Sequence, residues 1–204
     1  PSSLFIPNPF CEQFDGSFAV SDGQVGELAF TIWTTNELVR AEATNFVFRM
    51  ELPEGIYFEG ATFARSETVR ATWYPTGRTV ATFHPRYGFK PSGPQWWNTR
   101  YVLVSGCGVG RKGEGRLTMA CDIGDRHLEV ASKPIRFHVI PALRTARPKR
   151  YANGSFCGDA FAFSDARPAE LLAKTMGEAG VSWLIPFAAK SYPLLPVWRQ
   201  NGMR

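Results

Sequence analysis

No C-x-x-C pair occurs among the four cysteines Cys11, Cys107, Cys121 and Cys157, and none of their spacings fits a zinc site. No apolar run approaches the roughly 18 residues of a spanning helix. The longest, Trp183 to Ala189, is interrupted by Pro186, so no membrane insertion is expected. Charge of one sign is also scarce. The formal charge is +5, and Arg144, Arg147, Lys149 and Arg150 supply four of those positive charges within one short stretch. A nucleic-acid binder spreads its cations over a face, so a basic connector is the preferred reading and no nucleic-acid partner is expected. His84, His127 and His138 stand without a serine, cysteine or metal-ligand partner at telling spacing and read as ordinary strand residues. Gly106-Cys-Gly-Val-Gly110 lacks the helix that a phosphate loop requires. No metal and no cofactor is therefore expected.

The chain does have alternation. At 44% hydrophobic, 14% aromatic and 20% charged, its composition is that of a folded protein. Period-2 patterning dominates the first two thirds, in short segments rich in β-branched and aromatic residues. The expected strands are Leu4–Ile6, Ser17–Val20, Glu27–Thr34, Asn45–Leu52, Thr68–Tyr74, Thr79–His84, Tyr101–Ser105, Arg116–Cys121, His127–Ala131 and Ile135–Ile140. In Asn45–Leu52, Phe46, Phe48 and Met50 alternate with Asn45, Val47, Arg49 and Glu51, the mark of a half-buried antiparallel strand. Strands of this length suggest two sheets packed as a sandwich, with Phe46, Phe48, Ile56, Phe58, Trp73 and Phe137 inside. Cys107 and Cys121 flank a glycine-rich segment; read as a hairpin, it leaves both a cross-strand disulfide and a buried free thiol open.

After Pro141 the pattern changes. Residues 142–155 read as a basic linker, and 156–204 as strand, helix, strand, helix. Phe156–Ser164 is continuously apolar. Asp165 stands where a helix N-cap belongs, with Pro168 in the tolerated first turn. Ala169, Leu172, Met176 and Ala179 recur at helical spacing up to Gly180. Val181–Phe187 is a second buried strand, and Pro193–Gln200 a short helix closed by Gly202. Strands apolar on both faces suit a parallel βαβ crossover covered by helices, with Leu172 and Met176 expected over Leu184 and the first strand.

Two stretches carry resemblances. GELAFTIWTTNELVRAEATNFVFRMELPEGIYFEGATF, Gly26 to Phe63, resembles the immunoglobulin-like modules of bacterial surface and secreted proteins, in its Ala-Thr-Asn lead into a strand and its Leu-Pro-Glu-Gly turn before an aromatic strand. The resemblance implies an Asn-containing turn here, from which the sequence departs in turn type, with Asn36-Glu37-Leu38 where those modules carry Asn-Thr-Gly. The segment GDAFAFSD to LLAKTMGEAGVSWL resembles the first repeat of (β/α)8 glycoside hydrolases that carry an N-terminal sandwich. Together they imply an Ig-like antiparallel sandwich over 1–141, a linker, and the truncated opening of a TIM-like barrel over 156–204. The chain is then the N-terminal part of a longer, secreted carbohydrate-active hydrolase, located outside the cell or in the periplasm. Its expected partners are a carbohydrate and the rest of the barrel. A non-catalytic adhesion module and a carbohydrate-binding module are the alternatives.

In a barrel the chemistry lies at the C-terminal ends of the strands, which puts Asp165 at the mouth. It is a ligand for a sugar hydroxyl on the resemblance and a helix cap on its position. Asp159, near the start of a buried strand, is either a sugar ligand or the partner of a connector arginine such as Arg147 or Arg150. Trp96 and Trp97, with Tyr87 and Phe89, crowd the loop 85–99, where aromatic faces either stack on sugar rings or dock on a neighbouring layer. Glycoside hydrolysis needs two carboxylates across one bond, and the later strands that supply them in the resembling family have no counterpart here. No catalytic residue is assigned.

Overall fold

The computed structural model of the chain describes residues 2–5, 17–61, 70–73, 79–84, 100–146, 154–157, 166–186 and 195–202. In chain order the first elements are β1 (Ser2–Phe5), β2 (Ser17–Ser21), β3 (Val25–Thr34), α1 (Glu37–Glu42), β4 (Thr44–Leu52), β5 (Ile56–Ala61), β6 (Arg70–Trp73) and β7 (Thr79–Phe83). Then follow β8 (Arg100–Gly106), β9 (Lys112–Ile123), β10 (Arg126–Ala131), β11 (Ile135–Ile140), β12 (Gly154–Cys157), α2 (Ala166–Glu178), β13 (Trp183–Pro186) and α3 (Leu195–Gln200). The fold is mainly β.

Two sheets enclose the core. One runs β1-β3-β8-β5, the other β2-β11-β9-β4-β7-β6, with β10 also paired to β9. The alternation in β4 does as expected: Phe46, Phe48, Met50 and Leu52 are buried while Asn45 and Arg49 face solvent. Phe48 stacks on Phe83 at 5.2 Å and 14°, and touches Phe30 at 5.2 Å; Phe58 stacks on Phe83 from the opposite sheet at 5.4 Å. Of the six expected core residues, Phe46, Phe48, Ile56, Phe58 and Phe137 are buried. The Trp73 side chain lies outside the described residues. Gly115 lets β9 and β4 approach closely, since a Cβ there would sit 2.4 Å from the Glu51 carbonyl oxygen and 2.8 Å from the Phe137 ring.

Three local expectations are corrected. β2 pairs with β11 in parallel, Ser17 opposite Arg136, so the sandwich is not purely antiparallel. The cause is the corner after Ser21, where Gly23 at φ +69° and the Gln24 N–H to Ser21 carbonyl bond (3.1 Å) carry the chain into the other sheet. Asn36-Glu37-Leu38 opens α1 instead of forming a turn: the Asn36 side chain accepts the Leu38 N–H at 3.0 Å, and Arg40 donates to the Thr34 carbonyl at 2.8 Å. The glycine-rich segment after β8 is a passage between layers, not a hairpin, because β8 and β9 belong to different sheets. Cys107 is accordingly exposed, Cys121 buried, and both are free thiols.

Towards the C-terminus β12 pairs in parallel with β13, Gly154 opposite Trp183. β12 starts two residues before the expected Phe156. Helix α2 ends as its glycine demands. Gly180 takes φ +86°, its N–H bonds the Gly177 carbonyl at 3.1 Å, and Val181 N–H reaches the Met176 carbonyl at 3.0 Å, a Schellman closure.

Candidate functional site

The strand Val102-Leu103-Val104 is buried on both faces. Val102 and Val104 join the sandwich core, whereas Leu103 alternates to the outer face and is equally inaccessible. What covers it is the C-terminal segment: Leu103 and Val25 pack with Leu172 and Ala173 of α2 and Trp198 of α3, with Leu171, Met176, Val181 and Val197 at the margin. Leu172 therefore faces the sandwich, where the sequence reading set it over the parallel strands. A period of 3.6 identifies the apolar stripe but not the surface it meets.

Polar pairs fix the orientation of this contact. The Gln24 side chain, 2% exposed, donates from Nε2 to the Leu143 carbonyl (2.7 Å) and to Glu178 Oε2 (2.8 Å), and accepts the Leu143 N–H on Oε1 (2.8 Å). One amide thus ties sandwich, connector and helix. The Val25 N–H donates to Thr175 Oγ1 at 3.0 Å, and the Thr145 N–H to the Glu178 carbonyl at 2.9 Å. At the other end of α2, Arg167 meets Glu59 Oε2 through Nε and Nη2 at 3.3 and 3.2 Å, while Ser105 donates to Glu59 Oε1 at 2.6 Å. Arg167 is largely exposed, so this pair contributes orientation more than stability. Replacing Gln24 by leucine removes both hydrogen bonds to the Leu143 backbone and the one to Glu178, and is expected to speed trypsin cleavage after the exposed Arg144 at least about tenfold, the opening ratio for a loss of about 1.4 kcal/mol. Unchanged cleavage would show that apolar packing alone holds the segment.

A second polar group lies where β4 meets the β9–β10 hairpin. His127 Nδ1 is 2.9 Å from Asp122 Oδ1, and Asn45, a non-glycine residue at φ +53°, donates to Asp122 Oδ2 at 3.0 Å. The two hydrogen bonds, His127 first, hold the Asp122 carboxyl below the usual carboxylate range, and this cluster pins the hairpin. Among the described residues no group of three or more His, Cys, Asp or Glu is placed to hold a metal ion.

Asp159, Asp165, Trp96 and Trp97 all lie outside the described residues, as do Arg147 and Arg150. Gln24, Glu59, Leu103 and Thr175 were not singled out in the sequence. The apolar Leu103 between two valines was the available signal.

No family model matches the chain, and no curated protein matches it. Solved structures do. A C-terminal fragment of a major pilin of Streptococcus agalactiae is similar at 10% identity and TM-score 0.38, over 60% of this chain and 52% of that one. The seventh type I cohesin of Pseudobacteroides cellulosolvens is similar at 8% identity and TM-score 0.38, over 74% and 97%. A family 123 glycoside hydrolase of Clostridium perfringens is similar at 11% identity and TM-score 0.37, over 90% of this chain and 37% of that one. The chain thus spans about half the pilin fragment and just over a third of the hydrolase.

Proposed function

We propose that the chain is the accessory β-sandwich, with the opening βαβα of a (β/α)8 barrel, of a secreted carbohydrate-active hydrolase. The observation that carries this reading is the position of α2, which follows β12, precedes its parallel partner β13, and packs on the sandwich through Leu172 and Ala173. A helix between parallel strands is the unit from which such barrels are built, and its second contact makes the sandwich a fixed neighbour of the unit. In this reading residues 1–141, 142–155 and 156–204 are sandwich, connector and barrel opening. On this reading Asp165 belongs at the barrel mouth, Asp159 is a sugar ligand or the partner of a connector arginine, and Trp96 and Trp97 are available to sugar rings.

The test is reducing-sugar release from a panel of soluble polysaccharides and aryl glycosides. The protein assayed is the native polypeptide, recovered from its source with an antibody against this chain, beside the 204-residue chain itself. Release by a longer native polypeptide and none by the chain agrees with the proposal. A native polypeptide that releases nothing while adhering to glycan or protein surfaces overturns it in favour of an adhesion-type module.

A further inference from the structure

The sequence holds two Asn-Gly pairs, Asn153-Gly154 and Asn201-Gly202, and the second closes α3. Gly202 takes φ +77° just past the helix, and its N–H donates to the Arg199 carbonyl at 2.8 Å. The Asn201 side chain donates from Nδ2 to the Val197 carbonyl at 2.9 Å, and the Asn201 N–H lies 3.3 and 3.2 Å from the Val197 and Trp198 carbonyls. The side-chain amide and the nitrogen that follows it are thus both engaged by the last turn. A helix of six residues does not stand alone in water, where fewer than about 12–15 are marginal. What holds α3 is Trp198, 2% exposed against Val25, Leu103, Leu172 and Ala173. The bonds at Asn201 and Gly202 therefore last only while Trp198 is docked.

We propose that Asn201 is a site of spontaneous deamidation, gated by the docking of α3, whose product weakens that same docking. In the undocked segment the Gly202 nitrogen, with no side chain beside it to obstruct the approach, gives up its proton and attacks Asn201 Cγ. The N–Cγ bond forms, the Cγ–Nδ2 bond breaks, and Nδ2 takes up a proton and leaves as ammonia. Water then opens the succinimide at one of its two carbonyls, leaving aspartate or, with the main chain rerouted through Cγ, isoaspartate. The aspartate form sets a carboxylate against the Val197 carbonyl where Nδ2 had donated, two acceptors facing each other at the negative end of a helix. The isoaspartate form adds a methylene to the backbone and spoils the closing turn. Either product favours the open segment, so an opening that reacts makes later ones more frequent. Attachment of the C-terminal segment becomes one-way as the protein ages.

The experiment ages the chain in mildly alkaline buffer and cuts it with a lysine-specific protease, which sets Asn201 in the peptide 191–204 and Asn153 in the peptide 150–174. The mass gain of an amide-to-acid exchange in the first peptide, with methyl transfer by an isoaspartyl methyltransferase, reads the reaction at Asn201 apart from any at Asn153. A synthetic 191–204 peptide, which has no surface to dock on, sets the ungated rate. The folded chain should react at least about tenfold more slowly than this peptide. Leu103→Ala, beneath Trp198, should recover most of that difference, whereas Val104→Ala, on the core side of the same strand, should leave the rate near that of the parent. Should Leu103→Ala fail to fold, Gln24→Leu loosens the same segment through the connector and is expected to speed the reaction likewise. Equal rates in chain and peptide, or no difference between the loosened variants and Val104→Ala, overturn the gating, and no reaction in the peptide overturns the site. Asn201→Asp tests the consequence. Trypsin cleavage after Arg144 should be at least about threefold faster in that variant, and unchanged cleavage overturns the one-way attachment.

Discussion

Phe48→Ala is expected to lower the unfolding free energy by about 3–5 kcal/mol, a large part of the 5–15 kcal/mol that holds a typical domain together. Phe48 is fully buried on β4, stacked on Phe83 and in contact with Phe30 of the other sheet. Removing it opens a cavity between the Phe83 and Phe30 rings, which sit on opposite sheets and cannot close inwards without shifting both layers. Urea unfolding followed by tryptophan fluorescence measures the loss. A change under 1 kcal/mol would mean that the two sheets are not packed through this aromatic stack.

Leu103→Ala and Val104→Ala should fail in different places, although the residues are neighbours and both fully buried. Val104 faces the sandwich core, so its truncation lowers global stability, seen as an earlier cooperative transition. Leu103 faces α2 and α3, and truncation there is expected to cost about 2–5 kcal/mol, taken mainly from the attachment of the C-terminal segment. That segment then opens first, and limited trypsin digestion should remove residues beyond Arg144 while a sandwich core persists. Identical digestion patterns for the two variants would show that sandwich and helices unfold as one unit.

Much of the sandwich was legible because half-buried strands leave a period of two. Phe46, Phe48 and Met50 declare one face of β4, and the two-residue Gly124-Asp125 turn joins β9 to β10 as its composition implies. Helix α2 was legible through its stripe and its closing glycine. What eluded the sequence depends on partners distant along the chain. Gln24 sits in a short corner between strands and reads as an ordinary loop residue; only the folded connector gives its amide two backbone partners. Helix α1 is one Asn36 cap and six residues, too short for a period to register against a turn template. The β8 run was read as period-2, yet Val102-Leu103-Val104 has no polar face, and that continuity was the sign of a second covering layer.

The parallel pairing of β2 with β11 bears on how the protein is made. Ser17 finds its strand partner only when Arg136 exists, so during synthesis from the N-terminus β2 waits for nearly the whole sandwich to leave the ribosome. At about 5–20 residues per second that wait lasts several seconds or more, with an unpaired strand edge beside a half-built sheet. Pairings this remote in sequence also carry a high loop-closure cost, which makes the last strand of the sandwich the step that completes its assembly. Nascent chains arrested before β11 are the species in which a chaperone would find this protein most open.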